Sequence, residues 1–533
     1  MSTENNPAKL NSLNNDTQYV HKEDLPEGRY FSILGEIAIN YRGMTNVVMR
    51  RSTDLSSAKR LVTLLTLGHL RDYRELEREL KRTGIIGQYV TVRNLYDDLA
   101  SYHFRENKRI DITKFSPLTR TDPLLDNISH SDGSGSVTKY LHGNKQPIQR
   151  DHYRKDGSLL ISHVFSDDQK QIPSVVFLCD QQGCPQMVFD NITELRYFWL
   201  DQIFGESKVY LFTDSFRLVK FIANYQRKNV SIIQTVHNNM YNTTVGDCKQ
   251  YISSDFFPMI RYAWKFDALI FLTVSQRKEY ERVLGVSRHS FVVPNSRSRV
   301  NSFSSERDKS KGVMLAKLDK NKRPEHAVEA VRLLRDNFDK DVSLSIYGEG
   351  SLRPKMERMI KQYQLEQQIS LAGYDPSANK SFLNATFSLL TSKSEALGLV
   401  LVESMMAGCI PIAYDVDYGP ADIIQHGVNG FLVESGNQEA LAACVAYVLN
   451  LDEESLSALR AAAVRRATDF SPKAVCRQWA RILPQIGANA ASNISSPIVN
   501  ATQACLKFSN LSLCLRALHN PGCKTGLNPP DSK

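Results

Sequence analysis

Two successive series of short apolar runs, each run separated from the next by a helix-like segment, constrain the fold of this chain more than any other feature. The first series contains KVYLFT, SIIQTV, DALIFL and FVV, and the second contains GVML, VSLSIY, QISLA, FSLL, IPIAY and GFLV. Strands that alternate with helices form a parallel sheet with helices on both faces. We therefore predict an α/β chain with two doubly wound, Rossmann-like domains that face a cleft, and a break between them in the polar run at residues 296–311.

A segment with a different residue pattern lies between an earlier predicted strand, in RYFSILGEIAIN, and the first series. Polar and apolar residues alternate around the turns HGNK and KDG, which predicts antiparallel hairpins and hence a β-rich insertion. The first residues are polar and predicted to be disordered, whereas the last are rich in Asn, Ser and Pro and have no assigned role. The predicted boundaries are 1–28 for the N-terminal tail, 29–99 with 189–298 for the N-terminal domain, 100–188 for the insertion, 299–485 for the C-terminal domain and 486–533 for the C-terminal tail.

Composition limits the classes of function. Lys and Arg total 66 against 57 Asp and Glu, a formal charge of +9, and this mild excess suits a polyanionic partner as well as an ordinary solvated surface. No recognition helix or aromatic stacking motif points to nucleic acid. The nine cysteines include no C-x-x-C pair, and no apolar run approaches the ~20 residues of a membrane span. We expect reduced cysteines, no zinc site and a cytoplasmic location, with any attachment to the inner face of the membrane being peripheral.

Lysine, glycine and tyrosine residues follow the strands of the second series. Lys317 and Lys322 come after GVMLA, Gly348 opens the turn after SLSIY, and Tyr374 follows QISLAG. Ligands of doubly wound sheets bind beyond the carboxyl ends of the strands, where two cations could hold a diphosphate. A lysine pair alone is explained as well by a solvated surface. The succession of such residues at strand ends is what indicates a site.

The stretch SEALGLVLVESMMAGCIPIAY adds two carboxylates. It predicts a helix at residues 398–407, a stop at Gly408 and a buried strand IPIAY. Glu395 then stands before the amino terminus of the helix, and Glu403 lies along its flank. A helix amino terminus binds phosphate through its free N–H groups, so the two carboxylates would flank an anion site.

The second domain resembles the family-4 retaining glycosyltransferases of the GT-B fold. Glu395 and Glu403 match the E-x7-E motif of that family, and Lys322 matches one member of its cationic pair. Lys317 stands where the family usually has an arginine, which would bind a diphosphate in a bidentate manner. His237, after SIIQTV, matches a histidine that typically faces the sugar.

A closer resemblance extends over the first domain. Gly43, before a helix, is similar to the glycine loop that lies beside the diphosphate in this family. The segments RGMTNVVMRRS, FDNITELRYFWLDQIF and YGPADIIQHGVNG, together with the insertion, resemble the branch that glycosylates teichoic acids. That branch includes enzymes acting on serine-rich proteins, and its insertion can drive oligomerisation. The resemblance implies a homo-oligomer formed through the insertion.

The resemblance also implies a role for each site residue. Glu403 would accept hydrogen bonds from the ribose hydroxyls, and Glu395 would hold sugar hydroxyls. Lys317 and Lys322 would offset the charge on the leaving diphosphate, and His237 would position the sugar. The predicted donor-binding residues are Gly43, Gly348, Tyr374, Ala396, Leu397, Gly398 and Leu399, the last four through N–H groups at the helix terminus. No Asp-x-Asp is expected at a sheet end, so we predict no metal and no cofactor besides the UDP-sugar donor.

Simpler explanations of four residues stay open at this point. Glu395 could cap its helix, and Glu403 could lie on a solvated helix face. His237 could be a hydrogen-bonded core histidine, and Gly43 could merely close a turn.

The predicted function is retaining transfer of a hexose, glucose or N-acetylglucosamine, from a UDP-sugar to hydroxyls of a poly(glycerol phosphate) or poly(ribitol phosphate) teichoic acid. The basic run RRS at residues 50–52 suits such a phosphate-rich acceptor. One alternative is transfer to serine and threonine of a serine-rich surface protein. Another is a non-catalytic, glycosyltransferase-like partner subunit, against which the intact glutamate pair argues.

Overall fold

The computed structural model describes residues 25–37, 43–69, 72–104, 110, 125–129, 136–141, 147–165, 174–237, 239–242, 251–253, 256–284, 289–298 and 307–486. The predicted tails lie outside these ranges, apart from residues 25–28 and 486. The chain divides into two compact units, residues 1–233 and residues 234–533. Within the described ranges, no helix has both the length and the apolar composition needed to cross a lipid bilayer.

The chain up to residue 298 alternates strands and helices at both ends and has strands alone in the middle. The strands are β1 (Arg29–Leu34), β2 (Val62–Thr66), β3 (Val90–Asn94), β4 (Leu125–Ser129), β5 (Ser136–Leu141), β6 (Pro147–Tyr153), β7 (Leu159–Val164), β8 (Val175–Cys179), β9 (Pro185–Phe189), β10 (Val209–Thr213), β11 (Val230–Val236), β12 (Tyr241–Asn242), β13 (Tyr251–Ile252), β14 (Ala268–Phe271) and β15 (Ser290–Val292). The helices are α1 (Met44–Ser56), α2 (Tyr73–Arg82), α3 (Leu95–Ala100), α4 (Ile192–Phe204), α5 (Val219–Ala223), α6 (Phe257–Tyr262) and α7 (Val274–Leu284).

The first sheet has seven strands in the order β15-β14-β11-β10-β1-β2-β3. The pairs β1–β2, β1–β10, β2–β3 and β14–β15 are parallel. Every residue of β2, β10 and β11 is buried, as is typical of strands covered on both faces. The division between the two units falls within β11.

A second, separate sheet spans residues 125–189 and so ends one residue beyond the range predicted for the insertion. Strands β4 to β9 pair in sequence order, and every pair is antiparallel. The predicted KDG turn connects β6 to β7, whereas the HGNK turn lies outside the described residues. Arg154 donates hydrogen bonds to the carbonyl oxygens of Leu159, Asp180 and Cys179 at 2.8, 2.7 and 2.6 Å. It thereby fastens the turn to the neighbouring strand β8.

Arg51, part of the basic run assigned to the acceptor, is instead buried on α1. Its Nη1 and Nη2 donate to the two carboxylate oxygens of Asp214 at 2.8 and 2.7 Å. Its guanidinium lies 4.8 Å from the ring centroid of Phe212. Ser52 is also buried. The assignment of these two residues to an acceptor is therefore wrong, because Arg51 joins α1 to the end of β10 and the Ser52 hydroxyl lies 3.3 Å from that of Ser32 on β1.

Residues 307–434 contain six strands separated by helical segments, and three successive helices follow to residue 482. The strands are β16 (Asp308–Leu315), β17 (Ser343–Tyr347), β18 (Ile369–Gly373), β19 (Ala385–Leu390), β20 (Ile410–Asp415) and β21 (Phe431–Glu434). The helices are α8 (Glu325–Phe338), α9 (Arg353–Gln362), α10 (Leu399–Met406), α11 (Pro420–Ile423), α12 (Gln438–Asn450), α13 (Glu453–Ala467) and α14 (Pro472–Ile482).

These six strands form one parallel sheet in the order β18-β17-β16-β19-β20-β21. One large apolar cluster joins the sheet to α8 and α12 and includes Val328, Leu344, Ile412 and Val445. The predicted α/β architecture with two parallel sheets is confirmed.

Gly348 and Gly350 lie where the ends of β16 and β17 approach closely. Gly348 has a φ of 144°, and a β-carbon there would lie 1.8 Å from the carbonyl oxygen of Ala316. A β-carbon at Gly350 would lie 2.2 Å from the carbonyl oxygen of Leu318. The N–H of Leu318 donates to the carbonyl oxygen of Glu349 at 3.0 Å across the same gap. The Gly-Glu-Gly turn therefore joins the two strand ends through their backbones, and neither glycine position has room for a side chain.

We predict that Gly348→Ala lowers the free energy of unfolding by ~3 kcal/mol, because the added methyl group would displace the Ala316 carbonyl. Gly427→Ala is the matched control, since Gly427 also has a positive φ, 76°, but a β-carbon there would meet nothing within 4 Å. The control should cost only the ~1–2 kcal/mol of a left-handed backbone. Urea unfolding followed by circular dichroism measures both, and equal losses would contradict the close approach.

Candidate functional site

The predicted site residues of residues 307–486 gather at one edge of the sheet. Lys317 follows β16, Gly348 follows β17, Tyr374 follows β18, and Glu395 lies in the loop after β19. These strands are neighbours in the order β18-β17-β16-β19 and run parallel. Parallel strands end at the same edge, so the four residues meet where ligands of doubly wound sheets bind.

Lys322 and Glu395 form an ion pair at this edge. Nζ of Lys322 lies 2.5 Å from Oε1 of Glu395, and 27% and 10% of the two side chains are exposed. Glu395 precedes Gly398, the N-cap residue of α10, and no side chain caps that helix. The alternative that Glu395 caps the helix is therefore wrong. A lysine ammonium has three N–H donors, so the pair leaves donors for an anionic ligand.

Asn321 ties the loop of Lys322 to the loop of Glu395. Its Nδ2 donates to the carbonyl oxygen of Ser394 at 3.1 Å, and its Oδ1 accepts from the Ser394 hydroxyl at 2.9 Å. The N–H of Lys393 donates to the carbonyl oxygen of Asn321 at 2.6 Å. These three bonds fix the separation of the two loops that carry the ion pair.

Arg323, next to Lys322, binds the beginning of the loop that follows β19 and carries Glu395. Its Nε and Nη2 donate to the carbonyl oxygens of Thr391 and Ser392 at 2.9 and 2.7 Å. The guanidinium lies 5.0 Å from the ring centroid of Tyr414, and its burial lowers the pKa of Arg323. Arg323 has a φ of 44°, which residues other than glycine rarely adopt. Strain of this kind persists where surrounding contacts over-determine the backbone, as these do.

Lys317 is less constrained than the other lysine of the pair. Its side chain is 72% exposed, and its Nζ lies 3.3 Å from Oδ2 of Asp319. The strand ends beside it are joined, since the N–H of Gly348 donates to the carbonyl oxygen of Gly373 at 2.8 Å. Tyr374 follows this junction and is exposed. An exposed cation therefore follows β16, and an exposed aromatic ring follows β18 at the same edge of the sheet.

The amino terminus of α10 packs against a second glycine turn. Gly398 has a φ of 79° and is the N-cap, so Ala396 and Leu397 precede the helix, which is one residue shorter at each end than predicted. A β-carbon at Gly419 would lie 2.3 Å from the carbonyl oxygen of Leu397. The turn containing Gly419 therefore supports the loop that leads from Glu395 to the helix.

Glu403 lies on α10 and is paired with Arg297. Nε of Arg297 lies 2.5 Å from Oε1 of Glu403, and 22% and 23% of the two side chains are exposed. The N–H of Arg297 donates to the carbonyl oxygen of Phe470 at 2.8 Å. The alternative that Glu403 lies on a solvated helix face is therefore wrong.

Two predicted residues belong to the first series of strands. Gly43 is the N-cap of α1 with a φ of 57°, and a β-carbon there would meet nothing within 4 Å. His237 directly follows β11 and is half-buried. Nearby, Nε2 of the buried Gln276 donates to the carbonyl oxygen of Val236 at 3.3 Å. Each residue follows a strand of the first sheet, and the roles of both stay predictions.

One expectation about metal motifs is wrong. Asp415 and Asp417 form an Asp-x-Asp segment at the end of β20, and both side chains are exposed. Across the described ranges, however, no three His, Cys, Asp or Glu side chains are grouped so that they could hold a metal ion. Independence from metal stays a prediction.

Three residues that organise this edge were not predicted from the sequence: Arg297, Asn321 and Arg323. Asn321 and Arg323 flank Lys322 in the run KNKR, and these polar neighbours of a candidate lysine were the available signal. Arg297 lies in the polar run interpreted as a domain break. Nothing local marks it, because its partner Glu403 is 106 positions away.

Sequence comparison identifies related proteins. Residues 298–466 match the family described as Glycosyl transferases group 1. The chain is 24% identical to a poly(glycerol-phosphate) alpha-glucosyltransferase of Bacillus subtilis (strain 168), over 87% of this chain and 76% of that protein. It is 23% identical to a poly(ribitol-phosphate) alpha-N-acetylglucosaminyltransferase of Staphylococcus aureus (strain COL), over 85% of this chain and 98% of that protein.

Structural comparison supports the same assignment of fold. A crystal structure of a variant of S. aureus TarM, in complex with fondaparinux, alpha-GlcNAc-glycerol and UDP, matches with a TM-score of 0.64. The identity is 20%, and the match covers 86% of this chain and 99% of that one. Residues 298–466 belong to the group 1 glycosyltransferase family, and the chain is a glycosyltransferase with the GT-B fold.

Proposed function

We propose that this glycosyltransferase transfers a hexose from a UDP-sugar to hydroxyls of a teichoic acid, either poly(glycerol phosphate) or poly(ribitol phosphate), with retention at the anomeric carbon. The observation that carries the proposal is the match to two relatives named for such polymers, over 87% and 85% of this chain. Their names contain glucose and N-acetylglucosamine, which are therefore the first two sugars to test.

The edge of the parallel sheet β16–β21 has the chemistry that a nucleotide diphosphate requires. Lys322 presents donors from a fixed position, and Lys317 adds a second cation on a flexible stem. The amino terminus of α10, capped by Gly398 without a side chain, adds backbone N–H groups and the positive end of the helix dipole. Both phosphates of the donor would therefore meet positive charge or N–H donors.

The carboxylates suit the remaining parts of the donor. Glu395 would accept hydrogen bonds from sugar hydroxyls while it holds the ammonium of Lys322, and Glu403 would accept them from the ribose. By the resemblance, Gly43 and Gly348 would face the diphosphate, Tyr374 would contact the donor, and His237 would orient the sugar. These assignments complete a donor site that uses no protein nucleophile.

The reaction follows from this arrangement. The bond between C1 of the sugar and the diphosphate oxygen breaks, and the acceptor hydroxyl oxygen bonds to C1 on the same face. The hydroxyl proton passes to the leaving diphosphate oxygen. Negative charge grows on the diphosphate as the bond breaks, so Lys322 and Lys317 stabilise the transition state more than the bound donor. The pairing with Glu395 holds Lys322 in place, so little reorganisation is needed.

The acceptor is supported by charge and by the relatives. A formal charge of +9 favours encounter with a polymer that carries one phosphate per repeat. Serine and threonine of a serine-rich protein would use the same donor site, so they are tested beside the polymer. A homo-oligomer formed through the sheet β4–β9 and peripheral attachment to the membrane also stay predictions.

We expect the purified protein to transfer glucose or N-acetylglucosamine from the UDP-sugar to a teichoic acid polymer, and proton NMR of the product to show an α linkage. UDP-galactose and a serine-rich peptide are the comparison donor and acceptor. Glu403→Gln should reduce kcat/KM by ~100-fold or more, because a neutral amide binds the ribose less well and loses its arginine partner. Absence of turnover with every donor, and of UDP binding by calorimetry, would overturn the proposal.

We expect the two lysines to differ in effect. Lys322→Met should lower kcat by ~100- to 1,000-fold, since it removes a fixed donor to the leaving group. Lys317→Met should cost only ~10-fold, because that side chain is exposed and must be ordered for each contact. Lys320→Met is the control, as Lys320 lies exposed in the same loop. Steady-state kinetics would contradict this order if the three variants were equally active.

Two substitutions of Arg323 should have similar effects on activity and different effects on stability. Arg323→Ala and Arg323→Gly both delete the bonds to the Thr391 and Ser392 carbonyls, so both should lower kcat/KM by ~10-fold or more. Only glycine relaxes the backbone at a φ of 44°, so Arg323→Gly should be the more stable variant by ~1 kcal/mol. Initial rates and urea unfolding measure the two effects, and equal stability of the variants would contradict the strain.

A further inference from the structure

Arg297 contacts the site residue Glu403 through its side chain and the residue Phe470 through its main chain. Its side chain pairs with that carboxylate at 2.5 Å, and its Nη1 donates to the carbonyl oxygen of Ser296 at 3.2 Å. Its main-chain N–H donates to the carbonyl oxygen of Phe470 at 2.8 Å. The residue is thus anchored at its backbone independently of its side chain. The guanidinium is fixed relative to α10 and leaves little freedom to the Glu403 carboxylate.

The ion pair with Arg297 leaves acceptor sites of the Glu403 carboxylate available for further hydrogen bonds. An ionised carboxylate has roughly four lone-pair sites, and the Nε bond of Arg297 uses one site on Oε1. Oxygens that remain can accept bonds from two adjacent hydroxyls, the 2′-OH and 3′-OH of a ribose. Without the arginine, Glu403 could rotate about its side-chain bonds, and a bound ribose would have to order it.

We propose that Arg297 is a positioning residue that prepares Glu403 to bind the ribose of the nucleotide donor. The inference rests on the proposed function, because it takes Glu403 as the ribose-binding carboxylate. On this proposal Arg297 acts through Glu403, and not directly on the reacting carbon or the leaving group. Its effect therefore falls on donor binding and on discrimination between nucleotides with and without ribose hydroxyls.

The predicted signature is a loss of selectivity. Wild-type protein should bind UDP more tightly than 2′,3′-dideoxy-UDP by ~10- to 100-fold, the range expected for hydrogen bonds to a charged acceptor. In Arg297→Ala this ratio should fall below ~3-fold, because ordering the released carboxylate would offset the free energy gained from its hydrogen bonds to the ribose hydroxyls. The KM for the UDP-sugar should rise while kcat changes little, as for an interaction made equally in the ground and transition states.

Two further variants separate positioning from structure. Arg297→Lys keeps the positive charge and should restore part of the ribose selectivity, whereas Arg297→Gln keeps length without charge and should restore less. Both retain the main-chain bond to Phe470, so the segment stays attached. Arg332→Ala is the matched control, because it breaks a surface ion pair with Glu329 on α8 and should leave selectivity unchanged.

Isothermal titration calorimetry with UDP and dideoxy-UDP on the full-length protein tests the inference. A collapsed ratio in Arg297→Ala, with partial recovery in Arg297→Lys, supports it. A ratio that stays at the wild-type value in Arg297→Ala and Arg297→Gln overturns it while the proposed function stands. If wild-type protein binds neither nucleotide, the proposed function itself is overturned, so the two failures are distinguishable.

Discussion

The hydrogen bonds between the loop after β16 and the loop after β19 hold the charged residues of the donor site together. Asn321 joins the loops at one point, and Arg323 joins them at another, both through main-chain carbonyls. Lys322 lies between these two residues, and its ammonium meets Glu395 across the same gap. Because these two side chains bond to backbone atoms of the loop after β19, they fix the path of that loop whatever side chains it carries.

Close contacts between backbone segments fix the positions of the other turns at this edge of the sheet. The Gly-Glu-Gly turn after β17 lies against the carbonyl groups at the end of β16, and Gly419 lies against the carbonyl of Leu397. At each place a side chain would occupy the space that the neighbouring backbone fills. Glycines at these positions therefore allow the loops to approach each other closely.

One residue with a left-handed backbone and two ion pairs lie where the donor is proposed to bind. Arg323 holds a left-handed backbone conformation beside Lys322, and its contacts with the β19 end offset that cost. Arg297 and Glu403 form the second charged pair. Glu403 lies within α10, whereas Glu395 lies in the loop before that helix. Each acidic residue of the predicted motif therefore has its own cation, and each pairing restricts the position of the carboxylate.

The sequence by itself determined the architecture and most of the candidate donor residues. Alternating strand and helix periodicity requires parallel sheets, and parallel sheets bring Lys317, Gly348 and Tyr374 to one edge. Tertiary structure alone decided which residues pair, because the partners are far apart in the chain. It gave Lys322 to Glu395 and Arg297 to Glu403, it buried Arg51 against Asp214, and it placed Arg323 in a conformation that no local pattern indicates. Periodicity is a property of neighbouring residues, whereas ion pairs and close backbone contacts depend on how distant segments pack.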